Sequence, residues 1–221
     1  MVLNKSIYLE EREHESHIQK EASSYFPKDT YRVIKVNAQG EKVAEILSAQ
    51  GKLPLLEGSL IGVNDLILTH NSLVEIRDNN GLIFRLGEHS EFSLELTVIG
   101  IAPVFFGSVF KTRFSGFPPM MCGGKYRTSC YLRCSTTLHT ENVEKGLDVF
   151  YSLSEETEIW EYDEKGKKFP IINVEEGYKV YLRFIENKPM RERYCIEKIE
   201  PISHKEYDYI AMNYMNPKHW I

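Results

Sequence analysis

Short alternations of apolar and polar residues recur along most of the chain, and they predict β-strands. The clearest alternation covers residues 73–77, LVEIR, and a second one covers residues 82–86, LIFRL. Residues 78–81, DNNG, lie between them, and Asn-Gly favours a tight turn because both residues tolerate a positive φ. The pattern therefore predicts a β-hairpin over residues 73–86.

Similar strand-like runs continue to about residue 187, and segments rich in glycine, proline and acidic residues separate them. The runs cover residues 31–36, 53–69, 92–96, 105–115, 127–140, 147–162 and 178–185. Short strands at intervals of roughly ten residues are typical of sandwiches, barrels and β-rolls. We therefore predict a mainly β fold with a single β-sandwich or β-roll-like domain.

The same pattern divides the chain into three parts. Residues 1–29 form a predicted N-terminal helical arm, in which residues 7–24 are the best helical candidate. Residues 30–187 form the predicted β domain. Residues 188–221 form a C-terminal extension rich in Tyr, Met and Trp, although residues 195–202 could add a strand. Such a tail is expected to pack on its own domain or on a neighbouring protein.

Composition and charge narrow the class of protein. The chain has 221 residues and a formal net charge of −5 with a pI of about 5.9, which does not favour nucleic acid as a partner. No apolar run is long enough for a transmembrane helix, and no signal-peptide core precedes the first strands. These features predict a cytoplasmic protein without a membrane segment.

The cysteines give little reason to expect catalysis. Only Cys130 and Cys134 are closely spaced, whereas Cys122 and Cys195 lie apart, so a complete zinc site is not predicted. If residues 130–137 are one strand, Cys130 and Cys134 share a face and lie near His139. A thiol or metal site there is one interpretation, and packing of small side chains in the core is the favoured one. We expect no cofactor and no metal.

The best candidates for partner contact are apolar residues outside the predicted strands. The segment 114–121 reads as an exposed loop whose apolar side chains would be costly to leave in water. The loop could contact a partner, or it could fold back over an open end of the core. The predicted partner-binding residues, including two from the C-terminal tail, are Phe114, Phe117, Met120, Met121, Tyr214 and Trp220.

The central run resembles the FecR-like domain family, best over residues 58–96 and more weakly over residues 107–182. The matching positions form a glycine, an Asp-containing step, an apolar strand ending in Thr, a Ser, an alternating strand, a glycine turn and a final strand ending near a Ser. These positions are Gly62, Asp65, Leu66, Leu68, Thr69, Ser72, Val74, Ile76, Gly81, Leu86 and Ser90. The resemblance implies a β-rich fold and an interaction-based role without catalysis.

The short polar residues at these positions suit a structural role, because Asp, Thr and Ser side chains can hydrogen-bond neighbouring backbone at strand ends. Our first hypothesis is therefore a FecR-like protein–protein interaction, assembly or signalling module within a larger cytoplasmic complex. Its partner would be another protein or a second copy of the chain. One alternative is a ligand-sensing β domain that binds a small polar or aromatic molecule. A thiol- or metal-dependent enzyme is the least favoured alternative.

Overall fold

The structure is a computed structural model, and it describes residues 31–38, 40, 42–79, 81–97, 100–113, 120–124, 129–132, 136–141, 146–154, 156–162 and 167–215. For the strands between residues 120 and 141 it describes the backbone pairing. The predicted helical arm, residues 1–29, lies outside these residues.

The described part of the chain contains mainly β-strands. In chain order they are β1 (Tyr31–Ala38), β2 (Glu45–Ser48), β3 (Gly51–Pro54), β4 (Leu60–Ile61), β5 (Leu66–Leu68), β6 (Ser72–Arg77), β7 (Leu82–Leu86), β8 (Glu91–Thr97), β9 (Gly100–Phe106), β10 (Ser108–Arg113), β11 (Met120–Gly124), β12 (Ser129–Leu132), β13 (Thr136–Glu141), β14 (Leu147–Ser154), β15 (Thr157–Tyr162), β16 (Lys168–Val174), β17 (Tyr178–Phe184) and β18 (Tyr194–Pro201). Helix α1 (His204–Ile210) follows and continues into a π-helical turn at Ala211–Met215.

These strands form two sheets. The first sheet has the order β18-β17-β14-β13-β10-β7-β6-β1-β4, and the second has the order β16-β15-β12-β11-β9-β8-β5-β2-β3. The chain passes between the sheets every one or two strands, and among the described pairings only β9 with β11 is parallel. The predicted mainly β, sandwich-like fold is confirmed.

The predicted central hairpin is also confirmed. Strands β6 and β7 pair in antiparallel register, with Ile76 opposite Phe84. The Asp78 side chain accepts a hydrogen bond of 2.7 Å from the Leu82 N–H and so closes the turn. Gly81 has a φ of +81°, which explains why a residue without a Cβ follows the asparagines.

The core between the sheets contains a cluster of four aromatic rings. Phe84 is central, with its ring centroid 5.3 Å from that of Phe92, 6.1 Å from that of Phe105 and 6.4 Å from that of Tyr31. All four side chains are almost completely buried. Because Phe84 belongs to the first sheet and Phe92 to the second, this contact joins the two layers.

Three short polar residues act on the backbone as the sequence predicts. The Thr69 hydroxyl donates to the Gly87 carbonyl at 2.8 Å and accepts from the Ser90 N–H at 2.7 Å. The Ser72 hydroxyl accepts from the Ala44 N–H, and an Asp65 carboxylate oxygen accepts from the Gly62 N–H. These side chains connect strand ends, which is a structural role.

The predicted C-terminal extension begins within the sheet. Strand β18 pairs with β17 along its whole length, from Phe184 opposite Tyr194 to Tyr178 opposite Pro201. Helix α1 starts three residues after the end of β18, and Ser203 caps it through a reciprocal pair of hydrogen bonds with Glu206.

We predict that Thr69→Val lowers the free energy of unfolding by about 1–3 kcal/mol, because it leaves two buried backbone groups without their partner. Thr69→Ser keeps the hydroxyl and serves as the matched control, so it should cost less than Thr69→Val. Urea unfolding measures both variants. Equal stability of Thr69→Val and the unmodified protein would contradict a structural role for this hydroxyl.

Candidate protein-interaction surfaces

The C-terminal segment, residues 202–215, covers the outer face of the first sheet. Ile210 and Tyr214 pack with Phe110 and Leu153, and Ile202 lies against the same cluster. The Tyr214 ring is stacked on Phe110 at a centroid distance of 6.3 Å. The segment therefore closes a second, smaller apolar core outside the sandwich.

Tyr214 lies within this second core. Only 4% of it is exposed, and burial raises the pKa of its hydroxyl to about 12. A Cβ on Gly87 would lie 2.5 Å from the Tyr214 hydroxyl oxygen, so the glycine permits this close approach. Tyr214 thus packs on its own domain, which is one of the two arrangements expected for the tail.

An arginine cluster fixes the end of the segment. Arg85 donates to the Tyr214 carbonyl, and its Nε lies 2.8 Å from the carboxylate of the fully buried Glu75. Arg77 binds the other oxygen of the same carboxylate. The Arg85 guanidinium also lies over the Phe110 ring at 5.8 Å. Charge pairing and aromatic packing therefore act on the same few residues.

A lysine cluster fixes the start of helix α1. The Lys179 ammonium is buried on β17 and binds Glu206 of the helix and, at 3.1 Å, Glu200 of β18. It also lies over the rings of Tyr151 and Tyr181 at 5.7 and 5.6 Å. The helix is therefore held by a charged contact at its first turn.

The pKa values of this cluster follow from these contacts. Burial alone would lower the pKa of Lys179, but hydrogen bonds to Glu206 and Glu200 raise it above its usual value. Hydrogen bonds from Lys198 and then Lys179 lower the pKa of Glu200 to about 2. Burial alone would raise the pKa of Glu206, but hydrogen bonds from Lys179 and Ser203 lower it below its usual value.

The other predicted partner-binding residues are placed only in part. Phe114, Phe117 and Trp220 lie outside the described residues. Met120 and Met121 lie on β11, opposite Leu132 and Tyr131 of β12, so their assignment to an exposed loop is wrong. The adjacent prolines indicated a loop, but they precede the strand. Partner binding by any of these residues, including Tyr214, stays a prediction.

The premise of the less favoured interpretation, a cysteine–histidine site, is wrong. Cys130 lies on β12 in the second sheet and His139 lies on β13 in the first sheet, so residues 130–137 are not one strand. Cys130 is instead opposite Cys122 of β11. Cys134 lies outside the described residues. Within the described part of the chain, no group of three or more His, Cys, Asp or Glu side chains could hold a metal ion.

One end of the sandwich exposes apolar side chains. Strand β3 ends the second sheet and β4 ends the first, and all four residues of β3 are exposed. Leu53 on β3 is 45% exposed, Leu56 in the following loop is 65% exposed, and Leu60 on β4 is 55% exposed. We call these three side chains the leucine surface.

Charged groups lie beside Leu53 of the leucine surface. A cavity of about 460 Å³ is lined by Leu53 together with Lys42, Lys52 and His70. Glu45 lies 2.7 Å from Lys52 and 2.6 Å from His70. Hydrogen bonds from Lys52 and then His70 lower the pKa of the Glu45 carboxyl, so it is ionised at neutral pH.

The other end of the sandwich is formed by the edge strands β16 and β18. A cavity of about 450 Å³ lies there, lined by Phe169 and Ile171 of β16 and by Tyr194 and Ile196 of β18, among others. Ile199 of β18 is 50% exposed. We call the open side of β18 the β18 edge.

Comparison with known proteins gives a limited result. No family model matches the chain, and no curated protein matches its sequence. Two crystal structures of candidate anti-sigma factors from Parabacteroides distasonis ATCC 8503, at 2.50 and 1.65 Å resolution, are similar to it. The first has a TM-score of 0.46 and 7% identity over 66% of this chain and 63% of that chain. The second has a TM-score of 0.41 and 10% identity over 62% and 58%.

The chain therefore spans less than two thirds of the length of either structure. At this level of similarity neither structure informs on the function of the chain. Among the described residues, no helix has the length and apolar character needed to cross a membrane.

Sequence reasoning missed helix α1 and both charged clusters. Ser203 and Glu206 have the spacing of a capping box, which is a recognisable signal for the start of a helix. The clusters at Lys179 and Arg85 join residues 27 and 129 positions apart, and no local pattern indicates such pairs.

We predict that Glu206→Gln lowers the midpoint of thermal unfolding at pH 7 by about 2–4 °C, corresponding to about 1 kcal/mol for a partly exposed ion pair. The folded-state pKa of Glu206 is lowered, so its stabilising contact is present above the unfolded pKa and is lost as the pH falls through the folded pKa. The difference between variant and unmodified protein should therefore shrink as the pH falls below about 4.5.

The matched control is Glu176→Gln, which changes an exposed glutamate in a turn. Its unfolding midpoint should follow that of the unmodified protein at each pH. A difference for Glu206→Gln that stays constant from pH 7 to pH 2 would contradict a charged contact at the start of the helix.

Proposed function

We propose that the chain is a non-catalytic, FecR-like protein-interaction module that acts in assembly or signalling within a larger cytoplasmic complex. The leucine surface is the observation that carries this proposal. Soluble proteins commonly expose single apolar side chains, but here three exposed leucines follow one another on two edge strands and the loop between them, at an end of the sandwich that another protein could cover.

The arrangement of the surface supports recognition of a protein. The leucine surface lies on two edge strands and the loop between them. Two buried residues, Leu55 in the loop and Ile61 on β4, attach this part of the chain to the core. An apolar centre bordered by charged groups is the usual composition of a protein interface. Lys52 and Glu45 supply such charges beside Leu53.

The polar residues that the FecR-like resemblance marks support a role without catalysis. Thr69, Ser72 and Asp65 use their side chains to bind backbone groups. Their hydrogen-bonding capacity therefore serves the geometry of the strand ends.

In-cell photo-crosslinking tests the proposal. A photoreactive benzophenone amino acid replaces Leu56 in the cells that make the protein, and ultraviolet light then links it to whatever lies against it. We expect one covalent adduct with a different protein, identified by mass spectrometry. A Leu53→Lys substitution in the same chain should reduce the adduct about tenfold or more, because it places a charge in the apolar centre.

The matched control carries the photoreactive residue in place of Glu95, an exposed residue of the central strand β8. That position should give no specific adduct. Absence of any adduct at Leu56, or the same adducts at Leu56 and Glu95, would contradict recognition through the leucine surface.

A further inference from the structure

The two sheets end in four edge strands among the described residues, and three of them carry features that block pairing with another strand. An edge strand exposes unpaired N–H and C=O groups, which proteins commonly protect with lysine, proline or very short strands. Strand β4 has only two residues, and β16 contains Pro170.

Strand β3 is protected by its sequence. Pro54 lies opposite Glu45, and Leu55 donates to the Ala44 carbonyl. Because bonded and non-bonded pairs alternate in an antiparallel ladder, the open side of β3 presents the backbone of Lys52 and Pro54. Proline lacks the N–H that strand addition needs at this position.

Strand β18 carries weaker protection than β3, because its one lysine, Lys198, directs its backbone groups towards β17, beside a register shift at Glu197. It has eight residues, and its proline, Pro201, is the last of them. At one end of the ladder the Ile185 N–H donates to the Arg193 carbonyl, and at the other the Ile202 N–H donates to the Gly177 carbonyl. Bonded and non-bonded pairs alternate inward from these two ends. The backbone N–H and C=O groups of Ile196 and Ile199 therefore point to the open side of β18.

A register shift places both isoleucine side chains on the same face. Ile196 is opposite Leu182 and Ile199 is opposite Val180, with the shift at Glu197 between them. Val180 and Leu182 belong to the core between the sheets, so the isoleucines extend that apolar face beyond the sandwich. They are 42% and 50% exposed.

The sequence of β18 is complementary to itself in antiparallel orientation. When Ile196 of one copy faces Ile199 of another, Glu197 faces Lys198, and the twofold axis repeats both pairs. Within one copy Glu197 binds Arg183 and Lys198 binds Glu200, so the pairs between copies extend these existing charge networks. Opposite charges and apolar pairs facing each other across an antiparallel ladder stabilise it, whereas like charges facing each other destabilise it.

We propose that two copies of the chain pair their β18 strands in this register and form a twofold dimer with a continuous sheet. Backbone hydrogen bonds from Ile196 and Ile199 supply affinity, and the Glu197–Lys198 pairs fix the register. This inference rests on the proposed function, since it names one partner of the module, but it uses a different surface from the leucine surface.

Sedimentation velocity over a concentration series tests the dimer. We expect the purified protein to dimerise, and we expect Ile199→Lys to weaken the dimer about tenfold or more, because it places an extra charge at the pairing face. Val63→Lys is the matched control, since Val63 is similarly exposed, follows strand β4 at the opposite end and belongs to neither proposed surface, and it should leave the dimer unchanged.

A protein that stays monomeric up to about 100 µM, a concentration at which a micromolar dimer would be almost fully formed, would overturn the dimer. Dimerisation that survives Ile199→Lys would overturn the role of β18. The two proposals fail separately. Absence of the Leu56 adduct would contradict recognition through the leucine surface, whereas a monomeric protein that still forms this adduct would contradict the dimer alone.

Disulfide formation tests the register by a gained covalent bond, which a loss of folding does not produce. Substitution of Glu200 removes one contact of Lys179 and keeps the contact of Lys179 with Glu206. In the proposed register Cys195 of one copy faces Glu200 of the other, and both residues direct their backbone groups towards β17. They would form a non-bonded antiparallel pair with a Cα distance of about 4.5 Å, which a disulfide can bridge. Cys195 is an exposed free thiol.

We therefore expect Glu200→Cys to give a covalent dimer on mild oxidation, visible by non-reducing electrophoresis. Within one extended strand the same two positions lie about 16 Å apart, so the bond can only join two copies. Adding Cys195→Ser to Glu200→Cys should abolish the covalent dimer. Failure of Glu200→Cys to cross-link, or cross-linking that persists after Cys195→Ser, would overturn the register.

Discussion

The backbone hydrogen bonds of the edge strands are the constraint on which this account depends. A sandwich pairs the N–H and C=O groups of its inner strands, but every edge strand leaves half of its groups without a strand partner. In the described residues, Lys52 and Pro54 limit the pairing of β3 with another strand, and β4 is too short to form a long ladder. Strand β18 instead directs the backbone of Ile196 and Ile199 outward. This unequal protection is the basis for the proposed dimer through β18.

The first sheet, which ends in β18, also has apolar side chains on its outer face that must be covered. Phe110 and Leu153 would be exposed if the C-terminal segment did not pack over them. Burial of Ile210 and Tyr214 supplies the apolar part of this contact, and the charged contacts of Lys179 and Arg85 fix its position. The C-terminal segment therefore completes the domain, while the opposite end of the sandwich keeps its leucines exposed.

The parts of the fold that depend on neighbouring residues could be predicted from the sequence. Alternation and the turn at Gly81 predicted the β6–β7 hairpin, and the short polar residue at Thr69 indicated backbone bonding at a strand end. What could not be predicted depends on distant pairing. The sequence does not show that β12 and β13 enter different sheets, which separates Cys130 from His139. It also does not show which strands become edges.

Hydrogen–deuterium exchange at the backbone amides of Ile196 and Ile199, measured at several protein concentrations, tests the open edge most directly. If β18 is the strand through which copies associate, these two amides exchange slowly in concentrated protein and quickly after dilution, while the amides bonded to β17 change little. Equally fast exchange of both amides at every concentration would contradict the account.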